Sequence, residues 1–174
     1  TGGVPARAAD VNGWYNRAVS IAFSGADPIS GVSSCTSATY NGADSATASV
    51  AGTCTDRAGN TSGPFGYGPK YDATAPQVTA GTPRRTPDVA GWYNRAVAFD
   101  FGGTDATSGI AACPSVTYSG PDTSTASVTG RCRDRAGNGA DRAFGIKYDA
   151  TAPTGVSATP DRPPNAAGWY NRPV

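Results

Sequence analysis

The 174-residue chain contains no histidine, glutamate, leucine or methionine. Without histidine, neither a Ser-His-Asp nor a Cys-His relay can be assembled, and no imidazole is available to ligate zinc. Without glutamate, any carboxylate mechanism must rest on the 13 acidic residues, all Asp, which excludes most hydrolase designs. The same gaps remove the strongest helix formers after alanine. Charge of either sign is scarce in excess: 14 Lys and Arg leave a net charge of +1, so no long-range field draws in nucleic acid or an anionic membrane surface. Apolar runs last only a few residues, far short of the roughly 20 that span a bilayer. Residues 1–20 carry neither the charged start nor the apolar block of a signal peptide. The chain opens on Thr1 rather than Met, which is compatible with a secretion signal removed or lying upstream. What remains is rich in turn formers, 23 Gly and 14 Pro, with Thr, Ser, Val, Tyr and Phe filling the ordered stretches. That composition points to an all-β chain of short strands.

A long-period repeat organises the sequence. Gly-Trp-Tyr-Asn-Arg occurs three times, at Trp14, Trp92 and Trp169. Cys35 and Cys54 recur as Cys113 and Cys132. Asp56–Asn60 (Asp-Arg-Ala-Gly-Asn) returns at Asp134–Asn138, and Lys70–Pro76 (Lys-Tyr-Asp-Ala-Thr-Ala-Pro) at Lys147–Pro153. A unit of this size exceeds a solenoid repeat and suits a small module that folds alone, so the expected layout is beads in series. Residues 1–72 form the first repeat, lacking its first strand, and residues 73–149 the second. Residues 150–174 supply the first strand and the start of the second strand of a further repeat. Pro76 and Pro153 stiffen the joints.

Period-2 alternation locates the strands. Val19, Ile21 and Phe23 share one face, as do Val97, Phe99 and Phe101. Ala48, Val50, Gly52 and Cys54 point inward together, as do Ala126, Val128, Gly130 and Cys132. Counting back from Tyr71 and Tyr148 gives inward Pro69, Tyr67 and Phe65 in one copy, and Ile146 and Phe144 in the other. Further strands are expected at 36–40 (114–118) and 77–82 (154–159), with turns at 27–31, 40–44 and 58–60. Six or seven strands per unit make a β-sandwich.

Each unit holds one cysteine pair, and the simplest pairing is Cys35 with Cys54 and Cys113 with Cys132. A thiolate metal site would need ligands from both units and lacks close C-x-x-C pairs. Two such bridges imply an oxidising compartment and hence secretion. Strict alternation sets Cys113 on the opposite face from Val116 and Tyr118, so a bulge or an edge position intervenes.

In order, Gly-Trp-Tyr-Asn, Asp-x-x-Ser-Gly-Ile/Val, the cysteine pair, Asp-Arg-Ala-Gly-Asn and Tyr-Asp-Ala-Thr-Ala-Pro resemble the tandem immunoglobulin-like domains of large secreted and cell-surface bacterial proteins, related in pattern to hyalin-type repeats. The resemblance spans the whole chain. It implies a tandem immunoglobulin-like β-sandwich, extracellular and at the cell surface, serving as a stalk, spacer or adhesive element without a catalytic centre.

Six aromatic residues, Trp14, Tyr15, Trp92, Tyr93, Trp169 and Tyr170, are candidates either for stacking on sugar rings or for closing the end of each bead against its neighbour, and the second fits their recurrence better. Asp27, Asp56, Asp72, Asp105, Asp134 and Asp149 all lie in turns or joints. Calcium between beads would need six to eight oxygens from such loops, but no EF-hand spacing exists and Asp also caps turns. No metal and no cofactor are therefore expected. Lys70 or Lys147 in an internal isopeptide, the Arg84-Arg85 and Arg131, Arg133, Arg135 groups as polyanion sites, and the Asn60-Thr61-Ser62 sequon are weaker signals. Expected partners are neighbouring repeats or subunits, joined within a longer array or head to tail by strand addition, with surface glycans the rival. That rival describes an ancillary carbohydrate-binding module of a secreted enzyme.

Overall fold

The computed structural model describes residues 2–173, and every regular element among them is a β-strand. In the second copy of the repeat, Thr82–Pro83, Val97–Asp100 and Val116–Tyr118 form a three-stranded antiparallel sheet. A four-stranded sheet faces it, ordered Trp92–Tyr93, Gly139–Tyr148, Thr123–Asp134, Ile110–Ala112, with the Trp-Tyr edge parallel. Val97 and Phe99 from the first sheet meet Ala126, Val128, Ile146 and Tyr148 from the second in one buried cluster. The first copy repeats the three-stranded sheet with Gly2–Pro5, Val19–Ser24 and Ser37–Tyr40, over its own core of Tyr15, Val19, Ile21, Phe23 and Tyr71. The alternation read from sequence therefore selects the inward faces, except at Phe65, which is expected to point inward and is exposed at 38 % at the start of its three-residue strand.

Opposite that sheet the first copy is broken into ribbons: Val32–Cys35 with Cys54–Asp56, Val50–Gly52 with Phe65–Tyr67, and Trp14–Tyr15 with Lys70–Tyr71. Proline accounts for one of these breaks. Pro69 stands where the second copy has Ile146, and a residue without N–H cannot donate to the ladder. Strand Gly139–Tyr148 consequently runs unbroken for 10 residues, whereas its counterpart stops at Tyr67 and restarts at Lys70.

Gly52 and Gly130 occupy inward positions because an aromatic ring fills the space a side chain would take. A Cβ on Gly52 would lie 2.2 Å from the Phe23 ring, and one on Gly130 2.1 Å from that of Phe101.

Both disulfides form as expected, Cys35–Cys54 and Cys113–Cys132. Each ties neighbouring strands of one sheet and encloses the excursion to the opposite sheet and back. The parity conflict at Cys113 is resolved by a register shift between Ile110 and Ala112 and by a strand break before Val116. An additional short strand, Val32–Cys35 or Ile110–Ala112, precedes the one expected at 36–40 or 114–118.

Three expectations need correction. The strand expected at 77–82 is two strands, Gln77–Val78 paired with Gly103–Thr104 and Thr82–Pro83 paired with Val97–Asp100. The first copy does not lack this region wholly, since Gly2–Pro5 takes the place of the second piece. Among the described residues of 150–174 there is no strand at all. Their partners would be the segments that follow Trp-Tyr, as Val97–Thr104 does in the second copy, and an unpaired strand leaves its N–H and C=O groups without bonds.

Gly130→Ala should destabilise the chain by about 1–3 kcal/mol through overpacking against Phe101, read as a lower urea midpoint with an unchanged m-value. Opening Cys35–Cys54 by a double Cys→Ser change should cost about 3 kcal/mol for a loop of this length, read in the same way.

Candidate functional site: the joint between the two repeats

Tyr71 closes the first core, and the next residue, Asp72, is completely buried at 0 % exposure. Its N–H donates to the Tyr15 carbonyl at 2.9 Å, which fastens it to the first copy. Its carbonyl accepts from Asn138 Nδ2 at 2.9 Å, and its carboxylate accepts from the Ser108 N–H at 3.1 Å, both in the second copy. The other carboxylate oxygen accepts from the Thr74 N–H at 3.2 Å. A single residue is thus held from both sides. Two further bonds cross the joint, Asn16 Nδ2 to the Ala136 carbonyl at 3.1 Å and Asn12 Nδ2 to that of Arg135 at 3.4 Å.

The joint segment is braced before it reaches Pro76. The Ala73 N–H donates to the Asp44 carboxylate at 2.8 Å, and the Thr74 hydroxyl donates to the same group. In the second copy Asp122 holds Ala150 and Thr151 in the same way, at 2.9 and 2.5 Å. Stiffness therefore comes from directed hydrogen bonds as well as from proline.

The receiving loops are shaped by their own aspartates. The Asp105 carboxylate accepts from the N–H groups of Thr107, Ser108 and Gly109, and Asp134 accepts from the Asn138 N–H and Nδ2 at 2.9 and 2.8 Å. Gly137 turns that loop at a φ of 95°, where a side chain is disfavoured. Asp27 and Asp56 make the same caps in the first copy. Backbone N–H groups of Ser30 and Gly31 hold the Asp27 carboxyl below its usual range, and Asn60 does so for Asp56.

One oxygen each of Asp72, Asp105 and Asp134 lies within 4.8 Å of the others. Burial pushes the Asp72 carboxyl up, and the charges of Asp105 and Asp134 push the same way, against the hydrogen bonds from Ser108 and Thr74. Three hard oxygens are at most half of the six to eight calcium takes. N–H donors already engage this trio, and among the described residues no buried side-chain N or O lacks a partner. Asp27, Asp56 and Asp149 lie outside the cluster.

The aromatic candidates do not come together as one surface. Tyr15 and Tyr93 are core residues, each under a guanidinium 4.9 Å from the ring centroid, from Arg7 and Arg85. Those arginines also pair with Asp10 and Asp88 at 2.7 Å. Trp14 is nearly buried and Trp92 half-buried, with the Lys70 and Lys147 ammonium groups 6.0 and 5.9 Å from their centroids. Trp169, at 74 %, and Tyr170 are exposed. Gly-Trp-Tyr-Asn-Arg is thus the plug that closes one end of each core, and in the first copy its Asn16 reaches across the joint. The basic groups are largely paired: Arg84 chelates Asp100 at 2.9 and 2.6 Å and Arg131 meets Asp141 at 3.5 Å. No protein-family model matches the chain, and no curated protein is significantly similar to it.

Asn16, Asn138, Ser108 and Asp44 were not legible as joint residues. Their recurrence at the repeat period was visible, but repetition alone does not say which copies of a residue meet across a boundary.

Asn138→Ala removes the bond to the Asp72 carbonyl as well as the one to Asp134, whereas Asn60→Ala removes only the bond to Asp56. In dilute solution the first should cost about 1 kcal/mol more than the second, measured by thermal unfolding of each variant. The raised Asp72 carboxyl means that the folded state holds this proton more tightly than the unfolded chain does. Stability relative to Asp72→Asn should therefore fall as pH rises from the unfolded value of 3.8 through the raised one, then run parallel. Parallel curves throughout that window would contradict the assignment.

Proposed function

We propose that the chain is a tandem pair of immunoglobulin-like β-sandwich domains, residues 1–72 and 73–149, serving as a structural or adhesive element of an extracellular stalk or surface fibre. The observation that carries this reading is the joint at Asp72, where the two copies are coupled through a buried carboxylate and paired asparagines rather than through a loose linker. Such coupling transmits orientation from bead to bead. The disulfides suit an oxidising compartment, and each one shortens the length of chain that tension could release. The absence of histidine and glutamate leaves no nucleophile with a recognisable base. A carbohydrate-binding role is less well supported, because Tyr15 and Tyr93 are buried in the cores and Trp14 nearly so, which leaves Trp169 and Tyr170, with half-buried Trp92, as the aromatic faces open to a sugar.

Small-angle X-ray scattering should show one extended particle with a narrow distance distribution, and Asn16→Ala with Asn138→Ala should broaden it. Strong binding on a glycan array, lost in Trp92→Ala, would replace this reading with that of a binding module.

A further inference from the structure

Three Asn-Gly dipeptides occur in the chain, at Asn12, Asn41 and Asn138. Two of them lie at the joint, one on each side, and neither dipeptide is repeated in the other copies: Ala90 and Ala167 take the place of Asn12, and Asn60, the equivalent of Asn138, is followed by Thr61. Asn12 Nδ2 donates to the Arg135 carbonyl at 3.4 Å, and Asn138 Nδ2 to the Asp72 carbonyl at 2.9 Å. Asn41 is exposed in the turn after Ser37–Tyr40. An Asn-Gly pair is chemically unstable in water. Glycine has no side chain to shield its backbone nitrogen and lets the chain bend toward attack, which makes the preceding asparagine amide thermolabile.

Asn138 is held in a way that opposes this reaction. Its side-chain nitrogen, the group that would have to leave, donates across the joint to Asp72 and also to the Asp134 carboxylate at 2.8 Å. Its N–H donates to the same carboxylate at 2.9 Å. Gly139 begins the strand Gly139–Tyr148, in register with Arg133. Asn138 and Gly139 are half-buried, whereas Asn60 and Thr61 are exposed, although Asn60 keeps the equivalent two bonds to Asp56, both at 2.8 Å. Docking of the first repeat is therefore what distinguishes the two loops.

We infer that Asn138 is a deamidation site gated by the joint, and that its conversion makes an opening of the joint permanent. Once the joint opens, the Gly139 backbone nitrogen gives up its proton to water and attacks the side-chain carbonyl carbon of Asn138. A C–N bond forms, the bond from that carbon to Nδ2 breaks, and Nδ2 takes a proton from water and leaves as ammonia. Water then opens the cyclic imide to aspartate or isoaspartate, so one water is consumed for each ammonia released. The product carries oxygen where Nδ2 was. It cannot donate to the Asp72 carbonyl, and it faces the Asp134 carboxylate beside a trio whose charges already push the Asp72 carboxyl up. Two attractive contacts become repulsive, and redocking is opposed. The inference rests on the docked joint of the tandem reading above.

Incubation of the full chain in mildly alkaline buffer, with aspartate and isoaspartate at each dipeptide read by peptide mass mapping, tests this. Thr61→Gly places the same dipeptide in the exposed loop, so Asn60 of that variant is the undocked reference. Asn138 should convert about tenfold more slowly than that Asn60. Asn16→Ala, which removes a bond across the joint, should speed conversion of Asn138 about fivefold and leave Asn41 unchanged. Asn138→Asp, the encoded product, should broaden the X-ray scattering distance distribution of freshly prepared protein. Equal rates at Asn138 and Asn60, or an Asn138 rate indifferent to Asn16→Ala, overturn the gate, and a narrow distribution for Asn138→Asp overturns the permanence. In each of those cases a narrow distribution for the fresh, unsubstituted chain leaves the tandem reading standing. A broad one rejects the joint, and both proposals with it.

Discussion

Asp72 is a carboxylate removed from water at the boundary between two cores, with Asp105 and Asp134 beside it and, among the described residues, no ion pair to any of the three. Burying a charge in this way is costly unless hydrogen bonds replace the lost solvent. Here the replacements are N–H groups, and these are directional. Ser108 must present its amide to the Asp72 carboxylate and Asn138 its side chain to the carbonyl of the same residue, so the loops that carry them have to be set first. The carboxylates of Asp105 and Asp134 set them. In the second copy the Asp-x-x-Ser-Gly and Asp-Arg-Ala-Gly-Asn motifs are therefore receptors, built locally by turn chemistry and used at long range.

At the other side of the joint the Gly-Trp-Tyr-Asn-Arg plug has a comparable logic. The tyrosine ring enters the core, an arginine seven residues before the tryptophan lies over that ring, and an aspartate pairs with the arginine. In the first copy the asparagine of the plug, Asn16, faces the neighbouring repeat. Core closure and coupling to the next repeat thus share one five-residue motif there.

The two copies also show how little is needed to change a sheet. Their inward residues match closely, yet one has a continuous four-stranded sheet and the other a set of ribbons. Pro69, in place of Ile146, deprives the ladder of one donor near the end of the strand, where the first copy breaks between Tyr67 and Lys70. The glycine opposite Phe23 or Phe101 is the reverse case, a position where the absence of a side chain is what allows the core to fill.

Much of this was accessible from residues alone. Strand faces follow from period-2 alternation, because a half-buried strand can hide only every second side chain, and the cysteine pairing follows from one pair per repeat. The splitting of the strand at 77–82 and the lack of a strand at 154–159 were not accessible, since a strand exists only where another edge meets its N–H and C=O groups. The joint was hidden for a related reason. Asp72, Ser108 and Asn138 are far apart along the chain, and only the docking of one repeat on the other brings the Asp72 carboxylate to the Ser108 amide and its carbonyl to the Asn138 side chain. Sequence by itself determined the period, the inward faces and the covalent bridges, all of which depend on local order. Tertiary structure decided which repeated elements became partners, because that depends on two surfaces meeting.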